Sequence, residues 1–423
     1  MKKALVVSAI ASNQGKTLLT MALLTHFKNR VRPFKIGPDF IDPQFHEKVA
    51  SYPSVNLDGY MMNKNQLNWI FNKYNDKDVA ICEGVMGFYD GMDKNSSAYD
   101  VAKILNIPTL LILDAGGSYI TISAILNGML NFRDDNTIKA VVLNKVSSKM
   151  HFELVKKHIE LECKNVVVVG WIEKNLPSIS SRHLGLDLEE LESVALDSIA
   201  KDVLKNIDTQ LLETIIDIKV QDKKIYPFKP IIQKDEKCIL VKDKNFSFIY
   251  HDNIEYLKEL YKEVIFIDST KDEEIPNDAD MVIIAGGYVE TDESYARVKD
   301  SIKFKNSLIN HASKNKNIYA ECAGLIYLGK KIDEKEMSGI LDIEFKLGKK
   351  RERLGYYKGI DFDTNEVKKG HAFHYSYITS APKGKIGLYK VSKKMMKDGG
   401  YKKGNLVGTY LHTMWRCDKG EEF

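Results

Sequence analysis

Residues 4–17 read Ala-Leu-Val-Val-Ser-Ala-Ile-Ala-Ser-Asn-Gln-Gly-Lys-Thr, an apolar run that passes through a short polar turn into Gly-Lys-Thr. The apolar run predicts a buried β-strand, and the stretch after it has the spacing of an amphipathic helix. A glycine lets the backbone approach a phosphate, a lysine supplies positive charge, and a hydroxyl can bind Mg²⁺. The segment therefore predicts a strand, a phosphate-binding loop and a helix, with Gly15, Lys16 and Thr17 as ligand-binding residues.

This loop departs from the commonest phosphate-binding signature at two positions. Ile10 stands where that signature has its first glycine, and Asn13 stands where related loops often carry glycine. Asparagine tolerates a left-handed backbone, so the second change is mild. The alternative is a chance Gly-Lys-Thr at the start of a helix. The strand before it and the helix after it favour phosphate binding.

Short apolar runs alternate with helical stretches in the first half of the chain, which is typical of a parallel sheet covered by helices. The alternation fades after a helical stretch near residues 188–218, and residues 221–237 are polar and contain two prolines, as linkers do. A second α/β pattern follows. We therefore predict an α/β protein with a P-loop-type parallel-sheet domain at residues 1–220, a linker at 221–237 and a second α/β domain at 238–423. The predicted strands are Leu5–Ala9, Arg32–Ile36, Val79–Cys82, Thr109–Leu113, Ala140–Leu143, Val166–Val169, Ile239–Val241, Val264–Ile267, Met281–Ala285 and Asn317–Ala320.

Composition excludes several classes of function. Lys and Arg outnumber Asp and Glu by only 62 to 58 among 423 residues, which gives no support for binding to nucleic acid or a membrane surface. The five cysteines lie far apart, so we expect neither a disulfide framework nor a zinc site. The start of the chain imitates a signal peptide but lacks a convincing cleavage site, and no run approaches the roughly 18 apolar residues of a membrane span. We predict a cytoplasmic protein.

Acidic residues follow three of the predicted strands, where an open α/β sheet places ligand-binding groups. Glu83 and Asp114 each follow one strand, and Asp39 and Asp42 follow another. Mg²⁺ bound with ATP usually keeps one or two protein carboxylates, so not all four can be ligands. We predict Thr17 and Glu83 as metal ligands, with Asp39 or Asp42 as the third. For each of these residues the alternative is a role in a turn or a helix cap. For Asp114 this alternative has nearly the same weight as a ligand role.

Residues 318–325, Ile-Tyr-Ala-Glu-Cys-Ala-Gly-Leu, predict a strand that turns sharply into a helix at Cys322. Such an elbow exposes a nucleophilic sulfur, and the backbone N–H of the next residue, Ala323, can stabilise an oxyanion. The turn after the preceding strand offers Gly287 as a second donor, and His412 offers a general base. The alternative is a buried core cysteine. The flanking residues favour a catalytic pair of Cys322 and His412.

Two longer blocks of sequence are more specific: Gly-Pro-Asp-Phe-Ile-Asp-Pro at residues 37–43 and Gly-His-Ala-Phe-His-Tyr-Ser at residues 370–376. Seven further blocks are the Gly-Lys-Thr loop and residues 56–58, 83–91, 143–145, 182–186, 285–288 and 320–324. In this order, and over nearly the whole chain, the blocks resemble the cobyrinate a,c-diamide synthase family.

The resemblance implies a dethiobiotin-synthetase-like ATP domain followed by a class I glutamine amidotransferase domain. It implies that ATP phosphorylates the a and c acetate carboxylates of a corrin ring acid in turn, and that ammonia derived from L-glutamine displaces each phosphate. The implied cofactors are ATP and Mg²⁺. A homodimer is one candidate for the assembly.

The resemblance also implies roles for individual residues. Cys322 is the glutaminase nucleophile, His412 raises its nucleophilicity, Glu83 serves Mg²⁺, and Asn144 lies near the adenine. The residues that serve the phosphates are Gly15, Lys16, Thr17 and Lys35, and those implied for the ring substrate in the first domain are Asp39, Asp42 and Asp90.

Three positions in the family-specific block near the end, His371, His374 and Tyr375, are predicted to hold the ring acid, because a ligand with many carboxylates needs several donors. On a strand, residues 371 and 374 point to opposite faces. One exposed and one core histidine is therefore the alternative.

Two departures from the family pattern bear on the sites. Phe40 stands where tyrosine is common, which removes a hydroxyl from the predicted substrate loop. Met414 stands two residues after the histidine, where many class I amidotransferases have glutamate, so the group that orients His412 is left open.

Other functions fit parts of the pattern. Cobyrate synthase shares both domains, and the a,c-diamidation of hydrogenobyrinate or nickel sirohydrochlorin uses the same motifs. A P-loop partitioning or regulatory ATPase with a degenerate binding module is an alternative of a different class, but it leaves Cys322 and His412 without a task.

Overall fold

The structure is a computed structural model that describes residues 2–174, 176, 181–182, 185–186, 193–218, 225–361, 363–382, 386–390 and 395–417. The chain forms two compact units, Met1–Pro227 and Phe228–Phe423. Their division lies within the segment that we predicted as a linker. Residues 219–224, and with them the predicted domain end at 220, lie outside the described residues, as does part of the predicted helical stretch near 188–218.

The first unit is built on a parallel sheet with helices between successive strands. Its strands are β1 (Lys2–Ala9), β2 (Val31–Ile36), β3 (Val55–Leu57), β4 (Val79–Gly84), β5 (Thr109–Asp114), β6 (Ile138–Val146), β7 (Val167–Glu173), β8 (Ser181–Arg182), β9 (Gly185–Leu186) and β10 (Asp217–Ile218). Its helices are α1 (Lys16–Phe27), α2 (Ile41–Ala50), α3 (Lys64–Tyr74), α4 (Ala98–Leu105), α5 (Thr121–Asn131), α6 (Lys149–Glu162), α7 (Ser193–Leu204) and α8 (Thr209–Ile215), with a short 3₁₀ helix at Met92–Lys94.

The strand order in this sheet is β3-β2-β4-β1-β5-β6-β7, and β10 pairs antiparallel with β1. The inner strands β2 and β4 are buried along their whole length, which explains why most of their residues are apolar, although β2 also carries Arg32 and Lys35 and β4 carries Glu83. Six of the predicted strands correspond to β1, β2, β4, β5, β6 and β7. Because β1 lies between β4 and β5, the carboxyl ends of β2, β4 and β1 meet at one edge beside the loop after β1.

The second unit combines a parallel half-sheet with a large antiparallel extension. Its strands are β11 (Lys234–Val241), β12 (Tyr261–Ile267), β13 (Met281–Ile284), β14 (Asn317–Glu321), β15 (Lys331–Ile332), β16 (Lys335–Glu336), β17 (Glu344–Leu347), β18 (Arg353–Asp361), β19 (Val367–His374), β20 (Ser376–Ser380), β21 (Ile386–Lys390), β22 (Met395–Lys403) and β23 (Leu406–Thr409). Its helices are α9 (His251–Leu260), α10 (Asp292–Val298), α11 (Ile302–Ser313) and α12 (Ala323–Leu328), with a 3₁₀ helix at Ser269–Lys271.

The nine-stranded sheet of this unit has the order β12-β11-β13-β14-β23-β22-β21-β18-β19. Neighbours from β12 to β23 run parallel, and the rest run antiparallel. A separate sheet has the order β16-β15-β17-β20. The pairing of β14 with β23 matters for function, because it joins the elbow after β14 to the last part of the described chain.

The described helices are short or amphipathic relative to the thickness of a bilayer. None of them combines the length and the apolar character that a membrane-spanning helix needs.

Candidate active sites

The loop after β1 has the backbone that close approach to a ligand requires. Gly15 caps α1 with φ of 94°, and Asn13 has φ of 60°. A Cβ atom on Gly15 would lie 2.6 Å from Nδ2 of Asn144, which also donates a hydrogen bond to the carbonyl of Gln14 at 2.9 Å. Glycine is therefore required by both the left-handed backbone and the contact with Asn144.

Lys16 is held inside this loop. Its Nζ donates to the carbonyl oxygen of Ala11 at 2.8 Å, and the side chain is largely buried. Burial lowers the pKa of Lys16 from its ordinary 10.5 to about 8, while Glu83 raises it and Lys35 lowers it further. The cationic form is thus poorly solvated, and a phosphate would supply the missing charge partner.

Glu83 lies at the carboxyl end of β4 and is almost inaccessible to solvent. It accepts hydrogen bonds from Thr17 Oγ1 at 2.8 Å, from His46 Nε2 at 2.8 Å and from Lys35 Nζ at 3.2 Å. Burial favours the neutral acid, but Lys35, His46 and Thr17 outweigh it and hold the pKa of Glu83 well below its usual range. Glu83 is therefore a carboxylate facing the start of α1.

The pair of Thr17 and Glu83 fits a magnesium ion. Two ligands at adjacent corners of an octahedral Mg²⁺, with bonds of about 2.0–2.1 Å, lie about 2.9 Å apart. The two oxygens are 2.8 Å apart. This spacing is compatible with both residues binding one ion, and their role as Mg²⁺ ligands stays a prediction.

The other two predicted ligands have a different partner. Lys35 Nζ forms ion pairs with Asp42 and with Asp39, the latter at 3.5 Å. Burial lowers the pKa of Lys35, but Asp42, Glu83 and Asp39 outweigh it and raise the pKa above its usual range. Within the described part of the chain, no three His, Cys, Asp or Glu side chains are arranged as a metal cluster. In the ligand-free chain, Asp39 and Asp42 therefore surround an ammonium group instead of an open metal position.

Asp90 and Asp114 stabilise turns. Asp90 accepts a hydrogen bond from the Gly87 N–H at 2.8 Å. Asp114 accepts one from the Gly116 N–H at 3.0 Å and pairs with Lys145 at 2.5 Å. For Asp114 this is the turn that we weighed as the alternative to a ligand.

Cys322 forms the elbow between β14 and α12 in the second unit. It has φ of 46° and ψ of −101°, a strained conformation for a residue with a side chain. Its N–H donates to the carbonyl of Thr409 at the end of β23, at 2.7 Å. The sheet pairing therefore holds the strained turn in place.

The Cys322 thiol is buried, with 6% of the residue exposed. Burial raises its pKa, the nearby carboxylates of Glu290 and Glu321 add to the rise, and a hydrogen bond from the Ala323 N–H opposes it. The sulfur is thus a thiol at rest, and a base must take its proton before it can attack. The predicted oxyanion donor Ala323 lies directly at the sulfur.

His412 lies three residues after β23, close to the elbow because β23 pairs with β14. Its ring packs against Gly286, where an added Cβ would be 2.3 Å from the imidazole Cε1. The second predicted oxyanion donor, Gly287, has φ of 147°, and a Cβ there would lie 1.9 Å from the carbonyl oxygen of Asn245. The loop after β13 therefore needs Gly286 for its close contact with His412 and Gly287 for its close contact with the backbone of Asn245.

The histidines of the 370–376 block lie beside His412. His371 and His412 exchange backbone hydrogen bonds at 2.9 and 2.8 Å. His374 is buried and stacks on Tyr410 with ring centroids 3.8 Å apart. Its Nε2 accepts a hydrogen bond from Arg353 Nη1 at 3.2 Å, and its Nδ1 donates to the Ser376 carbonyl at 2.7 Å. Burial, followed by the charge of Arg353, lowers the pKa of His374 to about 3. Both histidines thus lie beside His412 in the second unit, and their contact with the ring acid stays a prediction.

Tyr375, the third predicted ring-binding residue of this block, lies between β19 and β20. Its ring packs edge-on against Phe373, and its carbonyl accepts the N–H of Gly348 at 2.9 Å. Tyr375 is half-buried, as are His371 and Phe373 of the same block.

Two residues that contact these sites were not predicted from the sequence. His46 in α2 joins Glu83 to Ser54, and Glu321 contacts Nδ1 of His412 at 3.0 Å. No motif marks His46. Glu321 could not be inferred either, because its contact with His412 depends on the pairing of β14 with β23, which are far apart in sequence.

Each of the two units matches a family model built from known proteins. The CobQ/CobB/MinD/ParA nucleotide binding domain matches residues 5–185, and the CobB/CobQ-like glutamine amidotransferase domain matches residues 237–419. A cobyrinate a,c-diamide synthase of Fusobacterium nucleatum is 33% identical, with 97% of this chain and 97% of the relative covered. Another, of Saccharolobus solfataricus, is 34% identical with 97% of each chain covered. A solved glutamine amidotransferase structure from Thermotoga maritima is 18% identical, covers 43% of this chain and 76% of that chain, and has a TM-score of 0.32.

Proposed function

The chain belongs to the cobyrinate a,c-diamide synthase family, and on that premise we propose that it amidates the a and c acetate carboxylates of cobyrinate through acyl-phosphate intermediates. This makes it a carbon–nitrogen ligase of cobalamin biosynthesis that takes its nitrogen from glutamine. The observation that carries the proposal is the presence in one chain of a phosphate loop at Lys16 and a cysteine elbow at Cys322, each with its charged partners.

We assign the activation step to residues 1–220. A ring carboxylate oxygen attacks the γ-phosphorus of ATP, ADP leaves, and an acyl phosphate forms; ammonia then attacks the acyl carbon and phosphate leaves. Lys16 and Lys35 supply positive charge for the phosphoryl oxygens, and Asn144 contributes to the nucleotide site through its contact with Gly15. Mg²⁺, held by Thr17 and Glu83, would neutralise further phosphate charge when bound.

Asp39 and Asp42 fit a role that depends on Lys35. Their carboxylates fix the Lys35 ammonium at the carboxyl end of β2, where it can meet an incoming phosphate or ring carboxylate. We propose that the loop 37–43 and Asp90 contact the ring acid, and that the two aspartates reach Mg²⁺ only if Lys35 moves toward the phosphates.

We assign ammonia production to residues 238–423, after a linker at 221–237. His412 takes the proton of the Cys322 thiol as the sulfur attacks the side-chain amide carbon of glutamine. The N–H groups of Ala323 and Gly287 stabilise the oxyanion. His412 returns the proton to the leaving ammonia, and water then hydrolyses the thioester to release glutamate.

The product mass tests this function. Purified protein incubated with ATP, Mg²⁺, glutamine and cobyrinate is expected to yield a diamide, with glutamate and two equivalents of ADP per ring. The matched arms replace cobyrinate with hydrogenobyrinate or nickel sirohydrochlorin at the same concentration. A diamide from one of those alone would reassign the ring, and glutamine hydrolysis without any amide product would contradict the proposal.

The lowered pKa of Lys16 predicts how ATP binding depends on pH. Phosphates bind the ammonium form, which falls from most of the ligand-free protein at pH 7 to about a tenth at pH 9 when the pKa is about 8. The affinity for ATP without metal should therefore drop about tenfold between pH 7 and pH 9. Calorimetry in two buffers of different ionisation enthalpy should also detect proton uptake on binding above pH 8. A constant affinity over this range would show that Lys16 does not meet the phosphates.

A further inference from the structure

The carboxylate of Glu321 makes a direct contact with the histidine of the glutaminase site. Glu321 is the last residue of β14 and directly precedes Cys322. Its Oε2 lies 3.0 Å from His412 Nδ1, and both side chains are buried, with 4% and 2% exposed. An ionised carboxylate only accepts hydrogen bonds, so Nδ1 carries the hydrogen in this contact. The lone pair of His412 is then on Nε2, the nitrogen that remains to take a proton.

The other oxygen of Glu321 is fixed as well. Its Oε1 accepts hydrogen bonds from the Tyr319 hydroxyl and from Trp415 Nε1, each at 3.1 Å. The two rings pack edge to face with centroids 5.8 Å apart. Since Tyr319 and Trp415 come from opposite sides of the β14–β23 junction, the carboxylate cannot rotate away from His412 without losing two hydrogen bonds.

The position two residues after the histidine, where many class I amidotransferases carry glutamate, has no carboxylate in this chain. Met414, two residues beyond His412, is buried and apolar. Glu290, the other carboxylate near the elbow, accepts the Val289 N–H at 2.9 Å through its own Oε2. The carboxylate that contacts the imidazole in the described part of the chain thus comes from the residue before the nucleophile.

We propose that Glu321 is the positioning residue of the glutaminase site. It holds His412 in the tautomer whose Nε2 accepts the thiol proton of Cys322, and it stabilises the imidazolium that this transfer creates. The proton then passes from Nε2 to the departing ammonia, and Glu321 stays ionised throughout. This proposal rests on the glutaminase function assigned above.

The test compares Glu321→Gln with the wild-type chain in the presence of ATP, Mg²⁺ and the ring acid. Glutamine-dependent kcat should fall at least about 10²-fold, because an amide neither selects the tautomer nor balances the imidazolium charge. The KM for glutamine should stay within about twofold, and amidation with ammonium chloride should be unchanged. Trp415→Phe, which removes one hydrogen bond to Oε1, should lower glutamine-dependent kcat by a smaller factor, about three- to tenfold.

A double-mutant cycle separates positioning from a merely structural role. If Glu321 acts through His412, Glu321→Gln in a His412→Ala background should change the residual rate by less than about threefold. A further loss as large as in the wild-type background would overturn the proposal, as would a single Glu321→Gln variant with near wild-type glutaminase rate.

Two controls keep the outcomes distinct. If Glu321→Gln also loses the ammonium reaction, that variant is misfolded and the test passes to Trp415→Phe. For Trp415→Phe, a lowered glutamine-dependent kcat with an intact ammonium reaction supports the proposal. An unchanged glutamine-dependent kcat contradicts it. If the wild-type chain releases no glutamate from glutamine, the glutaminase function itself is wrong. If the wild-type chain releases glutamate and Glu321→Gln releases it at a similar rate, only the positioning role is wrong.

Discussion

Replacing Cys322 by serine is expected to abolish amidation with glutamine while amidation with ammonium chloride continues at close to the wild-type rate. The sulfur forms the covalent intermediate that releases ammonia, and a serine hydroxyl at the same elbow is a far weaker nucleophile. Carboxylate activation by ATP does not use this residue. We expect a loss of at least about 10³-fold in glutamine-dependent kcat, measured by glutamate release and by product mass.

A second buried cysteine provides the matched control. Cys238 in β11 is as inaccessible as Cys322 but has an extended backbone and lies outside the proposed glutaminase residues. Cys238→Ser should keep both activities, so that thiol loss alone is excluded as the cause. Equal loss of the glutamine and ammonium reactions in Cys322→Ser, with an unchanged melting temperature, would contradict the separation of the two chemistries.

The sequence predicted the elements whose signals are local. The strands β1, β2, β4 and β5 are short apolar runs in an α/β alternation, and their periodicity needs no knowledge of distant contacts. The loop with Gly15 and Lys16 was likewise recognisable, because strand, glycine and helix start are consecutive. The strand β3 and the two-stranded pair β8–β9 were not predicted, since two or three residues are too short to show a period.

The partners of the site residues could not be predicted in the same way. The contact between Glu321 and His412 exists because β14 pairs with β23, and the two strands are separated in sequence by the whole antiparallel part of the second unit. Lys35 similarly lies between Asp42 and Glu83 because β2 pairs with β4 in the register Lys35↔Glu83. Carboxylates that looked like metal ligands in sequence therefore became partners of a lysine once the sheet was formed.

The same dependence on pairing explains the 370–376 block. As residues of a strand, His371 and His374 were expected to point to opposite faces. The structure has one half-buried and one buried histidine, so His371 is less exposed than in the alternative that we gave. What the pattern did not indicate is that the backbone of His371 pairs with that of His412, because isolated bridges between distant segments leave no periodic signal.

Lys16→Ala is expected to stop amidation with either nitrogen source, because both need the acyl phosphate. Charge accumulates on the phosphoryl oxygens during transfer, and an ammonium group placed in advance at the start of α1 stabilises it. We expect rates at least about 10²-fold lower with glutamine and with ammonium chloride, measured as ADP release and diamide formation. Lys28→Ala, at the exposed end of the same helix, is the matched control and should keep both rates.

We do not expect this loss to come from unfolding, because burial of the Lys16 ammonium group lowers the free energy of unfolding. Its pKa is about 8 in the folded chain against the ordinary 10.5, so the unfolded chain binds this proton more tightly. The destabilisation is fully present below pH 8 and is relieved as the pH rises from about 8 to about 10.5. At pH 7, the melting temperature of Lys16→Ala should therefore be no lower than that of the wild-type chain. Between pH 8 and pH 10, the free energy of unfolding should rise less in the variant than in the wild-type chain. A variant that melts at the same temperature and still amidates at near wild-type rate with ammonium chloride would show that the loop after β1 does not carry out phosphoryl transfer.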